Sequence, residues 1–201
     1  MRILAHLSAA LVSATVVLAS TVVAASAQET TITDKRADVV QYDGRDDDSG
    51  TVLGADDSVS TGVDATSARI RHTKKYVTIL MRFENLTGGR VLSYAGLAVN
   101  GTGTTSYWIY NRGSKSTVTV LNRAQTKVLC TGAFTQKAGK NGSLYLRVAR
   151  SCLGYPHKIK AQTGLWRWMG SLDNDDATYY DESISASRYK TTSYSSWITS
   201  S

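Results

Sequence analysis

The chain holds two cysteines, one proline, two phenylalanines and three histidines in 201 residues, and several of these scarcities exclude a class of chemistry. Cys130 and Cys152 are its whole thiol content, and neither sits in a C-x-x-C pair, so the ligand set of a structural zinc site is missing. Beyond residue 27 only His72 and His157 carry an imidazole, and no H-E-x-x-H occurs. No G-x-S-x-G surrounds a serine, so a Ser-His-Asp triad lacks its local signature. Glutamate is confined to Glu29, Glu84 and Glu182, and nothing pairs Glu84 with a particular aspartate for glycoside hydrolysis. No stretch of helical length with a 3.6-residue apolar period follows residue 27, which argues against a helical core.

What is present starts with Met1-Arg2, an apolar run from Ile3 to Ala24, and Ala25-Ser26-Ala27. A positive start, an apolar centre and an A-x-A end predict a secretory signal over residues 1–27, cut after Ala27. The run approaches the length of a membrane span, but its Ala, Ser and Thr content and its small-residue end favour cleavage, and no cysteine follows to take a lipid. The expected product is secreted, extracellular and without a membrane anchor. In that compartment two cysteines are expected to form one disulfide, worth about 3 kcal/mol in the chain-entropy picture.

Charge is segregated along the chain. Residues 28–65 carry ten acids against three basic residues, whereas nineteen Lys and Arg oppose six acids from Thr66 onward, so the body of the protein is suited to a polyanionic partner. Residues 28–63 read as an acidic N-terminal strand, at 37–42, and loop. From Asp64 the pattern becomes alternating: ARIRH and YVTILMRF frame the short polar turn Thr73-Lys74-Lys75 and predict a hairpin. Short strands follow at 91–99, 106–110, 117–121, 127–131, 143–150 and 157–163, separated by NGTG, NRGSK, NRAQ and an Asn141-Gly142 turn. Val128, Cys130 and Cys152 share the parity of inward positions, as does His72. The expected fold is all-β: an antiparallel β-sandwich of jelly-roll or Ig-like layers with one disulfide, spanning residues 64–185, followed by a Ser/Thr/Tyr-rich tail or edge strand at 186–201.

The pieces Asp38-Val39, ARIRHTKKYVTILMRFENL, SYWIYNR, Cys130 and RSCLGYP together resemble a group of small secreted β-sandwich proteins of actinobacteria. The most specific of them is the closing Arg150-Ser151-Cys152-Leu153-Gly154 turn with Pro156, and the resemblance covers most of residues 37–163. It implies an exported, disulfide-stapled sandwich and carries over no catalytic residue.

Two clusters remain as candidate sites. Asp43, Asp46, Asp48, Asp56 and Asp57 offer the clustered oxygens that Ca²⁺ requires, without the Gly and Glu positions of an EF-hand; Asp173, Asp175 and Asp176 form a weaker set. Trp108, Tyr110 and Arg112 on one strand, with Trp166 and Trp168 on another, are the residue types that stack on sugar rings or anchor protein partners. The reading that follows is a non-catalytic secreted protein binding a cell-wall polymer, carbohydrate or other anionic polymer. The alternatives are a small hydrolase using His72 or His157 with an aspartate, and an extracellular interaction or protease-inhibitor module presenting loop 135–142. No nucleic-acid motif accompanies the basic charge, so a nucleic-acid partner is not expected.

Overall fold

The computed structural model describes residues 28–34, 36–42, 50–88, 91–112, 116–168, 178–182 and 194–201. The strands, in chain order, are β1 (Gln28–Thr33), β2 (Val40–Tyr42), β3 (Thr51–Val52), β4 (Ala65–His72), β5 (Tyr76–Phe83), β6 (Asn85–Leu86), β7 (Val91–Val99) and β8 (Tyr107–Arg112). They continue with β9 (Thr117–Asn122), β10 (Val128–Lys137), β11 (Gly139–Lys140), β12 (Ser143–Ala149), β13 (Lys158–Trp168), β14 (Thr178–Glu182) and β15 (Ile198–Thr199). One short helix, α1 (Ala55–Thr61), interrupts them. All strand pairs are antiparallel, and all but β6 and β11 join one sheet in the order β1-β4-β5-β12-β10-β9-β8-β7-β13-β14-β2-β3.

That sheet nearly closes on itself. Its ninth strand in that order, β13, pairs at its N-terminal end with β15, through Lys158↔Thr199 and Ile159↔Ile198, and β15 in turn lies against β1 and β4, the strands that begin the order. Two walls therefore face each other. The first is built from β4, β5 and β12, with Ile70, Ile79, Met81, Leu144 and Leu146 turned inward; the second contributes Leu97, Ile109, Val120, Ile159 and Leu165, and all belong to one buried cluster. Burying side chains of this size on both walls is the main term holding the sheet in its curl. The all-β antiparallel expectation holds, with both layers as parts of one continuous sheet.

Several local expectations are corrected. The sheet starts earlier than residue 37: β1 pairs with β4 residue by residue from Gln28↔His72 to Thr33↔Ser67, its ladder needing no apolar pattern of its own. Residues 55–61 are helical where a loop was expected. The acids Asp56 and Asp57 favour its first turn, and Gly62, with φ 71°, ends it in the left-handed region that suits glycine. Its buried positions are Ser58 and Thr61, whose hydroxyl groups bond back to backbone carbonyls, so no apolar period advertised it. Val128 does not point inward. An irregularity between Val128 and Cys130 breaks the parity, leaving Val128 57% exposed. Of the two readings for the C-terminal segment, residues 198–199 take the strand.

Cys130 and Cys152 are bonded, joining the start of β10 to a 3-10 turn at Arg150–Leu153 that follows β12. Since β10 and β12 are neighbours in the sheet, the bond staples the open end of that hairpin. The RSCLGYP segment is held from within: the Arg150 guanidinium donates to the carbonyls of Pro156 and Tyr155, and Gly154 takes φ 70°.

Candidate functional site

Strict alternation along β7, β8 and β13 decides what faces outward on the second wall. The register Tyr94↔Tyr110, Gly96↔Trp108 and Tyr94↔Gly164 puts Tyr94, Trp108 and Tyr110 on one face with Trp166, opposite the face that feeds the core. The rings touch. Trp108 stacks on Tyr110 with centroids 5.9 Å apart and planes 20° from parallel. Tyr94 sits 6.0 Å from Trp108, 6.2 Å from Tyr110 and 6.1 Å from Trp166, meeting the last edge-on. Such offset and edge arrangements are the favourable ones for ring quadrupoles.

Glycine makes the packing feasible. A Cβ at Gly164 would collide with the Tyr94 ring, and one at Gly96 would lie 2.7 Å from the Gln162 amide, so two bare positions in the ladder accept the side chains above them. Tyr94 is buried as the hub, while Trp108, Tyr110 and Trp166 stay half-buried at the surface. Further along the same face of β13, the Lys160 ammonium lies 4.5 Å from the Tyr194 ring and 5.2 Å from that of Trp197, and Lys158 is 5.1 Å from Trp197. The tail thereby extends the aromatic surface and holds two cations against it.

Three of the sequence-predicted aromatics are therefore brought together: Trp108, Tyr110 and Trp166. Arg112 and Trp168 occupy the last positions of β8 and β13, at the same end of the sheet. Tyr94, which joins the three, was missed; its signal was the apolar character of both faces of VLSYAGLAV, unusual for a strand with only one buried side. Tyr194 and Trp197 were missed because nothing local ties residues 194–197 to β13.

The acidic candidates fare differently. Asp43, Asp46 and Asp48, like Asp173, Asp175 and Asp176, lie outside the described residues. Asp56 and Asp57 stand in the first turn of α1, and among the described residues no three His, Cys, Asp or Glu groups gather as a metal set.

Two buried titratable groups flank β4. His72 is fully buried at the end of β4, its Nδ1 3.2 Å from the Ile198 carbonyl of β15, and its pKa is lowered by desolvation, with the Ile198 bond opposing. Asp64 is buried just before β4, where its carboxylate accepts the Ala37 N–H; desolvation raises its pKa. The two stand at opposite ends of β4, about 26 Å apart at strand rise, too far to share a proton. His157 is exposed, and its backbone N–H donates to the Asn100 side chain. The loop at 135–142 exposes Thr135, Lys137, Ala138, Lys140 and Asn141, and it is held in place: β11 pairs with β6, Asn141 N–H donates to the Glu84 carbonyl and the Gln136 amide to that of Thr87.

Compared with protein-family models, with curated proteins and with solved structures, the chain finds no match in any of the three.

Proposed function

We propose that this is a secreted, non-catalytic β protein that binds an extracellular or cell-wall glycan through the aromatic face of β7, β8 and β13. The observation carrying this reading is the stacked Trp108–Tyr110 pair, half-buried on an outer sheet face and braced from beneath by Tyr94. Rings held rigidly at a surface lose little entropy on meeting a sugar ring, and the flanking Lys158 and Lys160 add charge for acidic groups. The non-catalytic part is supported by His72, which is sealed inside the core, and by its separation from Asp64. The resemblance to exported actinobacterial proteins supports the compartment.

The test is co-sedimentation of the purified chain with isolated cell walls, chitin and cellulose at physiological salt. Retention on at least one is expected, falling about tenfold in Trp108→Ala and being kept in Trp108→Phe, which preserves a stacking ring. Absence of retention on every matrix, or equal retention by the alanine variant, overturns the reading.

A further inference from the structure

The first wall carries a different feature on its own outer side. Residues that alternate with the core positions of β1, β4, β5 and β12 project outward there, and the register aligns them in rows. Glu29, Arg71, Thr78 and Arg147 form one row across four strands; Thr31, Arg69, Leu80 and Tyr145 form the next. Between them lies a groove of ≈ 320 Å³, at the lower end of small-ligand sites. Arg69, Arg71 and Arg147 are exposed and line it together, and none has a carboxylate in ion-pair distance among the described residues. Glu29 stands across from Arg71 without pairing to it, so one acid opposes three cations. Cationic side chains concentrated on one sheet face repel each other, a cost that an anionic ligand relieves.

The cations are also positioned. The Arg147 guanidinium lies 5.1 Å from the centre of the Tyr76 ring, which holds it beside another residue lining the groove. Arg69 and Arg71 are two residues apart on β4, about 7 Å, and Arg147 is two strands from Arg71, about 10 Å. The Thr73 hydroxyl is spent within its turn, on the carbonyl and N–H of Tyr76. Thr78 and Tyr145 keep their hydroxyl groups free for a ligand among the described residues, beside the apolar Leu80. Forked cations 7–10 Å apart around a floor of hydroxyl and apolar groups suit one ring with an acidic substituent better than a duplex, which would need a longer basic stripe.

We infer that this groove binds an anionic sugar unit of an extracellular glycan, with Arg69, Arg71 and Arg147 holding its carboxylate, phosphate or sulfate and Thr78 and Tyr145 its hydroxyl groups. The site lies on the wall opposite the aromatic face and does not rest on that face's function. Titration calorimetry with polygalacturonate and dextran sulfate as probes is expected to show binding that weakens with salt, with neutral dextran inert. Arg71→Gln and Arg147→Gln should each weaken it about tenfold, the loss of one charge-assisted contact. Arg71→Lys should recover part of that loss, and Glu29→Gln should tighten binding a few-fold. Arg123→Gln, in the exposed turn between β9 and β10, removes equal charge elsewhere and should change affinity less than twofold; thermal melts confirm that each variant folds. Binding to neither glycan, equal loss in the turn variant, or equally tight binding of polyglutamate, anionic vesicles or duplex DNA overturns the assignment. Trp108→Ala should leave these affinities unchanged, which separates failure here from failure at the aromatic face.

Discussion

At the scale of single residues, the buried ionisable groups set how stability follows pH. Asp64 has a raised folded-state pKa because burial disfavours its charge. As pH climbs past 3.8 the unfolded chain releases this proton first, so stability falls until the folded carboxyl ionises as well. Asp64→Asn keeps an oxygen for the Ala37 N–H and removes that penalty. The variant should melt a few degrees above the parent at pH 7, and the gap should close below pH 3.8 in thermal scans. His72 runs the other way: its folded pKa is lowered, so protonation of the unfolded chain erodes stability as pH drops below 6.5. Arg150 and His157 contribute to that lowering, after burial itself. A urea midpoint that stays constant from pH 7.5 to 5 would contradict this account of His72.

At the scale of elements, the Cys130–Cys152 bond and the RSCLGYP turn act as one device. The bond ties β10 to the turn after β12, and the Arg150 side chain and Gly154 shape the turn so that Cys152 reaches it. Replacing both cysteines by serine should lower unfolding stability by about 3 kcal/mol in urea titrations at unchanged pH, leaving the β-sheet circular dichroism signal of the folded chain in place. The strands on each side of this device were legible in the sequence wherever one face is apolar and the other polar, as in ARIRH and YVTILMRF. Legibility failed where the ladder partner, and not the strand's own pattern, decides the structure. QETTIT of β1 has one aliphatic residue, yet it completes a six-residue register with β4. Helix α1 buries hydroxyl groups, so period counting had nothing to find. A single irregularity in β10 reversed the expected facing of Val128, since a period of two tolerates no slip. At the candidate sites the sequence showed Trp108 and Tyr110 as neighbours on a strand. It did not show the Arg69, Arg71 and Arg147 groove, because Arg147 reaches the other two only through cross-strand register.

At the scale of the whole molecule, charge and ring-bearing surface are divided between two walls that share one core. This arrangement permits independent variation of the two outer faces, because substitutions that point outward leave the inward residues untouched. The closure by β15 has a further effect. The Thr199 backbone N–H donates to the Gln28 side-chain oxygen at 3.0 Å, so the first and last described residues of the sheet are neighbours in space. Chain continuity is therefore separable from strand pairing. A circularly permuted gene, joining Ser201 to Gln28 through about five Gly/Ser residues and opening the chain between the exposed Gly103 and Thr104, should yield a protein that forms the same disulfide and the same strand order. Amide-exchange protection across β4, β5 and β12 should match the parent in that protein. Loss of protection there would mean that the order in which the strands are connected, and not their adjacency, is what lets this sheet close.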